Sequence, residues 1–471
     1  MLCPPSSRKF YYLILFLLYL IPLISTFTPS ISLPSAPPTV GVLIIDGFSP
    51  FHSAYLTDLA MNEYSAGVVN ALSPYTARGL RQTAGPGETE DYESHVPPLG
   101  DSSKLSAWLD AIPFDLVGVF CESDAGLDFS ERLSKEISVL PRGSRLLHNG
   151  HLPARRDKYK LNVRLSSSGI PTAGQYLCSS PSEVPFAFRD LGPPVIVKPP
   201  IGCASESVFL CKTLEAAVEA AEYVLGQNEW GKYETPNPSV LLQEFIPGPE
   251  FAIDSVSISG VHKIVAVWSY VKTDSGYGPF AYLRTSLVCP SDDATLYSKI
   301  CSYVSSCLDA LHFKNGLTHT EIRIGCDGEP IAVEVNCRQH NANVLTLTRA
   351  CTGYDAVEVM AEGYFEGVEG RFSQIPPYPD PLLRRGMLMH LQCNVFGVVT
   401  SISGLDVISD LPTVVEMDFY MDKFGVGCEV EATKDIRGDC GWVIMMGEKE
   451  DLERDFKRAS EIMEDMFEVE D

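Results

Sequence analysis

The sequence predicts a multidomain protein of mixed α/β and α+β class, and three observations support this prediction. The chain has 471 residues, which is long for one ordinary hydrophobic core. Its amino-terminal part alternates apolar strand-like runs with helix-like stretches, whereas strand and turn patterns dominate residues 251–270. Apolar residues make up 45% of the chain and charged residues 21%, values typical of a globular protein.

The first folded domain is expected at residues 40–150 and should be Rossmann-like. Its runs 39–46 and 114–120 are almost continuously apolar, as in parallel strands that are covered on both faces. Helical patterns lie near 52–64, 103–112 and 127–139, and the polar stretch 82–103 is expected to be a long loop.

A two-lobed second domain is expected at residues 151–375. Asp157 is placed to cap a helix that runs to about residue 168, and 195–198 is a short strand ending in Lys198. Further helices are predicted at 213–225 and 293–311, with a polar insertion at 226–239. A small α+β domain, 380–471, follows a proline-rich linker and ends in a charged amphipathic helix at 449–467.

Charge and cysteine usage limit the classes of partner and compartment. The chain has 36 basic and 61 acidic residues, a formal net charge of −25, so nucleic acid is not an expected partner. This balance is still compatible with one local basic pocket for a nucleotide. The 14 cysteines are scattered without a CxxC pair, which favours free thiols in a reducing compartment.

The amino terminus points to a different location. Arg8 and Lys9 precede the apolar run 10–24, which has the length of a signal-peptide core. We therefore expect a targeting segment at 1–26 and a linker at 27–39, with entry to the secretory route or to a plastid reached through it. Membrane contact is expected only through this segment, if it stays uncleaved.

Segment 319–338 carries the most informative pattern. Asp327-Gly328 predicts a two-residue hairpin turn. The register counted outward pairs Cys326 with Glu329, Arg323 with Ala332, Glu321 with Glu334, and His319 with Asn336. Alternation then gives a polar face with Glu321, Glu334, Asn336 and Arg338, and an apolar face with Ile322, Ile324, Ile331, Val333 and Val335.

The opposed pair Glu321 and Glu334 indicates a metal site. Directly opposed side chains have Cβ atoms about 4.5–5.5 Å apart, so two carboxylates there repel each other. Mg²⁺ removes this conflict, because it binds carboxylate and amide oxygens together with substrate phosphates. A solvated polar face of an amphipathic hairpin is the alternative interpretation.

The pattern Glu334-x-Asn336-x-Arg338 resembles the metal hairpin of the ATP-grasp superfamily, and the resemblance extends over about residues 150–370. It implies a Rossmann-like pre-ATP-grasp domain followed by the ATP-grasp domain. It also implies ATP as substrate and Mg²⁺ as cofactor, with Mn²⁺ as an alternative ion. The implied metal ligands are Glu321, Glu334 and Asn336, and the implied catalytic residues are Arg338 and Lys198.

Three further motifs extend the resemblance to the nucleotide. Lys158 and Lys198 look like the family's phosphate-contacting lysines, and Gly202 and Ser205 lie in the phosphate loop. Segment 242–250 resembles the adenine hinge. The residues that it implies for adenine and ribose are Gln243, Phe245, Ile246 and Glu250. The loop departs from the family pattern, because Ser207 stands where glycine is usual.

Within the superfamily, the chain most resembles L-amino-acid ligases and related carboxylate–amine ligases. The resemblance implies an acyl phosphate formed from a carboxylate and then joined to an amine, both small molecules. Glu122, Arg284 and His319 are the substrate-site candidates. A thiol or other nucleophile, or a nucleotide-binding scaffold without activity, is the alternative, and a homodimer is left open.

Overall fold

The computed structural model describes residues 31–49, 52–83, 96–203, 205–227, 236–273, 281–340 and 344–470. The strands are β1 (Ile31–Ser32), β2 (Val40–Ile45), β3 (Gly67–Ala71), β4 (Asp115–Cys121), β5 (Gln175–Cys178), β6 (Val195–Lys198), β7 (Phe209–Cys211), β8 (Val240–Glu244), β9 (Glu250–Ile258), β10 (Val261–Thr273), β11 (Ala281–Leu287), β12 (Gly316–Ile324), β13 (Pro330–Asn336), β14 (Arg385–Gln392), β15 (Gly397–Ile402), β16 (Val414–Phe419), β17 (Glu429–Val430), β18 (Asp439–Gly447) and β19 (Phe467–Glu470). The helices are α1 (Ser53–Asn62), α2 (Pro74–Thr83), α3 (Ser102–Ala111), α4 (Leu127–Ser138), α5 (Lys158–Ser167), α6 (Val184–Leu191), α7 (Leu214–Leu225), α8 (Ala294–Ala310), α9 (Leu345–Thr352), α10 (Ala356–Glu366), α11 (Leu405–Ser409), α12 (Met421–Phe424) and α13 (Lys449–Glu464).

The amino-terminal sheet has the order β1-β3-β2-β4, and β2 runs parallel to both β3 and β4. The continuous apolarity of β2 has a direct cause. Val42 and Ile44 pack into a core shared with α10, whereas Leu43 and Ile45 pack into a second core with α3 and α4. Both faces of the strand are buried, as the sequence predicts.

The rest of the chain is built on antiparallel sheets. A small sheet, β5-β8-β6-β7, packs against α6 and α7. The large sheet has the order β13-β12-β9-β10-β11-β14-β18-β16. Since β11 pairs with β14, this sheet continues into the carboxy-terminal region across the expected boundary near 375–380. The domain boundaries therefore stay a proposal.

The ends of most predicted helices lie within one or two residues of the observed ends, because capping residues can be recognised in the sequence. Asp101, Asp157, Thr213 and Asp293 each accept a hydrogen bond at a helix start. The terminal helix is shorter than expected and ends at Glu464. Much of the two polar stretches, at 84–95 and 228–235, lies outside the described residues.

The expected localisation needs correction. Among the residues that the structure describes, no helix is both long and apolar enough to cross a membrane. The apolar run 10–24, on which the signal segment rested, lies outside those residues. The targeting segment and the compartment inferred from it are therefore not supported.

Candidate active site

The two carboxylates predicted to face each other do so. Glu321 of β12 lies directly opposite Glu334 of β13, and His319 lies opposite Asn336. Glu334 is ion-paired with Lys158, with Oε2 and Nζ 2.5 Å apart, and accepts a hydrogen bond of 2.7 Å from Asn336. Burial alone would raise the pKa of Glu334, but Lys158 and Asn336 hold this pKa well below its usual range.

The observed register agrees with the predicted one at Glu321 and Glu334 but differs from it nearer the turn. Its turn is wider, since Gly325 donates to the carbonyl of Glu329 and Gly328 has φ +79°. Arg323 consequently lies opposite Ile331 instead of Ala332. A bulge next to Glu321 then absorbs one residue of β13 and restores the Glu321–Glu334 pair.

The bulge also changes which side chains of β13 are buried. Ile331 and Val333, expected on the apolar face, are only half-buried, and Ala332 takes their place in the core. Ile322, Ile324 and Val335 are buried as expected. The apolar face packs against α8.

Two lysines bring positive charge to the carboxylate pair. Lys158 is the first residue of α5, and Lys198 ends the buried strand β6. Lys198 is 4% exposed. Burial and the nearby Lys158 charge lower the pKa of Lys198 to about 8, although Glu334 and Glu321 act in the opposite direction. A buried ammonium beside a second ammonium favours an anionic ligand.

The segment expected to hold adenine lies at the end of β8. Gln243 is buried, and its Nε2 atom has no hydrogen-bond partner among the described residues. Buried polar groups are rarely unpaired, so this amide is suited to a ligand. The backbone at Ile246 is fixed, because Arg323 donates to its carbonyl over 2.6 Å. The same guanidinium lies 5.3 Å from the centre of the Phe245 ring.

Glu250, the candidate ribose contact, is held between two cations. Lys272 contacts its Oε1 at 2.5 Å, and Arg323 donates to its Oε2 over 2.6 Å. Sequence reasoning did not assign Arg323 or Lys272 to the site. Arg323 shares a strand face with Glu321, two residues away, so alternation along β12 could have found it.

The phosphate loop is folded over Lys158. The carbonyl of Gly202 accepts from Lys158 Nζ at 3.2 Å and from Arg156 at 3.0 Å. Ser205 and Ser207 both have a left-handed backbone, with φ +57° and +56°. The position where the family usually has glycine is therefore one where glycine suits the backbone.

Arg338 connects the hairpin to the amino-terminal sheet. Its guanidinium forms a two-pronged pair with Asp124, at 3.0 and 2.8 Å, and both side chains are buried. The next residue, Gln339, donates to Glu122 Oε1 over 3.2 Å. Burial raises the pKa of Glu122 to about 7, although the hydrogen bond from the backbone of Ser49 acts to lower it. Asp124 and Gln339 are further site residues that sequence reasoning missed.

His319 joins Glu321 to a buried polar cluster. Its Nε2 lies 3.4 Å from Glu321 Oε1, and its Nδ1 lies 2.9 Å from Asp254 Oδ1. Burial lowers the pKa of His319, but Asp254 and Glu321 outweigh this effect and raise it to about 9. The ring of His340 stacks on His319 with centroids 4.1 Å apart. His319 is thus placed to orient Glu321.

Arg284 is the candidate that the structure leaves apart from this group. Its guanidinium pairs with Glu453 of α13 at 2.8 and 2.9 Å and packs on the ring of Phe456. These partners belong to the carboxy-terminal helix, and neither is a site candidate. The structure therefore brings together Glu321, Glu334, Asn336, Lys158, Lys198 and Arg338, but not Arg284.

Comparison with known proteins fits this geometry. Residues 191–346 match the family model described as ATP-grasp domain. This match supports an ATP-grasp domain in that part of the chain. The matched segment includes β6, segment 242–250 and both strands of the hairpin, β12 and β13.

Several relatives of the chain are named as synthases or ligases. The chain is 25% identical over 210 residues to dapdiamide A synthase of Enterobacter agglomerans, covering 44% of this chain and 48% of the relative. It is 26% identical over 182 residues to an L-arginine-specific L-amino acid ligase of Bacillus subtilis, covering 39% and 43%. The chain thus spans about half the length of the curated relatives it matches.

A solved structure shares the fold of the whole chain. It is an L-amino acid ligase from Bacillus licheniformis, with a TM-score of 0.65 and 17% identity. The superposition covers 93% of this chain and 100% of that one. The predicted fold class, mixed α/β and α+β, is therefore confirmed.

Proposed function

We propose that the protein is an ATP-dependent ligase that activates a substrate carboxylate as an acyl phosphate and joins it to an amine. The observation that carries this proposal is the partly buried pair Glu321–Glu334, with Lys158 and Lys198 beside it. The guanidinium of Arg338 is close enough to Glu334 to interact with its charge. The name of one relative, an L-arginine-specific L-amino acid ligase, supports an amino acid as one substrate.

The residues present fit a nucleotide with its metal ion. Glu321, Glu334 and Asn336 offer the carboxylate and amide oxygens that Mg²⁺ prefers. The unpaired amide of Gln243 fits a hydrogen-bonding heterocycle such as adenine. When bound, Mg²⁺ would neutralise phosphate charge.

The chain's own groups would act mainly by position and charge. Lys158 and Lys198 would hold phosphate oxygens, and Lys198 is well suited because it is buried. Arg338, fixed by Asp124, would face the transferring phosphoryl group as charge develops. Glu122 would take the ammonium group of an amino acid, since it forms no ion pair with the described residues and its burial favours a cation partner.

A matched pair of variants on one hairpin tests the proposal. Glu334→Gln keeps the shape but removes a metal-binding charge, so amine-dependent ADP release should fall by about 10²–10³-fold. Glu329→Gln changes a half-exposed glutamate that pairs with Lys299 and should leave turnover unchanged. The assay follows ADP and phosphate with panels of carboxylates, amines and thiols.

Three results would contradict the proposal. Full activity in Glu334→Gln would remove the metal assignment. Phosphate release that requires a thiol and accepts no amine would change the reaction class. Nucleotide binding without turnover on any panel would favour a scaffold.

A further inference from the structure

A cavity of about 80 Å³ lies between the amino-terminal sheet and β12, next to Arg338 and Gln339. One water molecule needs roughly 10–15 Å³, so this space has room for a small polar molecule. Its walls combine apolar side chains, among them Leu56 and Met360, with polar ones that include Glu122, Gln339 and His52. A smaller adjoining cavity shares His52, Leu317 and Gln339 with it.

His52 is a polar group on the wall of both cavities. Its side chain is buried, with 5% of the residue exposed. Its Nδ1 lies 3.0 Å from the hydroxyl of Ser49, but its Nε2 has no hydrogen-bond partner among the described residues. Burial lowers the pKa of His52 to about 3, with help from His340 and Arg338, so the ring is neutral. A buried nitrogen of this kind is normally satisfied by a ligand or by water.

His52 and Glu122 are parts of one polar surface. The backbone N–H of Ser49 donates to Glu122 Oε2 over 3.0 Å, while the Ser49 hydroxyl contacts the ring of His52. Gln339 holds the other oxygen of Glu122. An amino acid whose ammonium group meets Glu122 would therefore direct its side chain towards the cavity wall that carries His52.

We propose that His52 forms a hydrogen bond with the side chain of the amino-acid substrate and thereby selects one that ends in a hydroxyl or carboxamide group. A neutral imidazole nitrogen either donates or accepts, depending on the tautomer, and hydroxyls and carboxamides can do both. This inference rests on the proposed ligase function and adds its substrate class.

The test compares amino acids with and without these groups. In the wild type, kcat/KM for serine, threonine, asparagine or glutamine should exceed that for alanine, valine or leucine. His52→Leu should lower the polar values by about 10–100-fold and change the apolar ones less than about threefold. His52→Gln, which can place an amide near the Nε2 position, should keep the polar preference.

The chain offers a control histidine that shares the serine contact at Nδ1 but has a partner, Asp309, at its Nε2. His262 also has a serine hydroxyl against its Nδ1, at 2.7 Å from Ser257, but it lines neither cavity. His262→Leu should leave the substrate preference of the wild type unchanged. A changed preference in His262→Leu matching that of His52→Leu would overturn the inference.

The outcomes separate this inference from the function on which it rests. If none of the amino acids on the panel supports ADP release by the wild type, the ligase proposal itself fails. If the wild type is active and His52→Leu keeps the same polar-to-apolar ratio, only the role of His52 is overturned. Should His52→Leu not fold, His52→Gln and His52→Asn decide the matter. Asparagine reaches only the Nδ1 position, so equal preference in both variants would also overturn the role.

Discussion

At the level of single residues, the sequence predicts contacts within one hairpin better than contacts across the chain. Glu321 and Glu334 could be paired by counting from a turn, because both belong to adjacent strands. Asp124, which holds Arg338, is 214 residues away from it in the chain. No periodicity links such positions, so the partner of the buried arginine could be found only in the folded structure.

The burial of the Asp124–Arg338 pair leads to a stability prediction. Asp124→Asn should destabilise the protein by about 2–4 kcal/mol, because it leaves a buried guanidinium without its full counter-charge. Asp292→Asn disrupts a pair of similar two-pronged geometry with Arg385, but this pair is partly exposed. It should cost less than about 1 kcal/mol. Urea unfolding of both variants measures the difference, and equal losses would contradict this account.

At the level of elements, the hairpin shows how a prediction can be correct for an incomplete reason. Asp327-Gly328 predicts a two-residue turn, whereas the observed turn spans more residues and shifts the register of Arg323. The bulge beside Glu321 compensates for that shift. Bulges have no reliable sequence signal, so the alternation of the sequence wrongly predicts that Ile331 and Val333 are buried.

The phosphate loop gives a prediction at the same level. Ser207 has φ +56°, a conformation that costs a residue with a side chain about 1 kcal/mol or more and costs glycine almost nothing. Ser207→Gly should therefore stabilise the fold by about 0.5–1 kcal/mol, after allowing for the freer unfolded chain. It should also change the KM for ATP, since this loop lies over Lys158.

Ser259 provides the control for that variant. It has φ +51° in the turn between β9 and β10, away from the phosphate loop. Ser259→Gly should give a similar gain in stability with an unchanged KM for ATP. The explanation by backbone strain is wrong if Ser207→Gly destabilises the protein while Ser259→Gly stabilises it.

At the level of the whole molecule, the site depends on how the amino-terminal sheet meets the large sheet. Asn149 bridges the two parts, since its side chain bonds to the backbone of Lys314 and Asn315. Arg155 adds a buried ion pair with Glu131 of α4, at 2.6 Å, and donates to the carbonyl of Leu311. The sequence predicts each part from its own pattern, but contains no signal for this junction.

The junction predicts a coupling between stability and substrate binding. Arg155→Met should destabilise the protein by about 3 kcal/mol, because Glu131, whose side chain is only 15% exposed, then loses its cation. Adding Glu131→Gln removes the unpaired charge of Glu131, so the double variant should recover part of the lost stability.

Because the cavity beside Arg338 lies at this junction and Glu131 lines it, Arg155→Met should also raise the KM for the amino acid more than the KM for ATP. Arg458→Met, at an exposed pair with Glu461, should change neither quantity. Strictly additive losses in the double variant would show that the two residues do not stabilise each other, and the junction would then be held by packing alone.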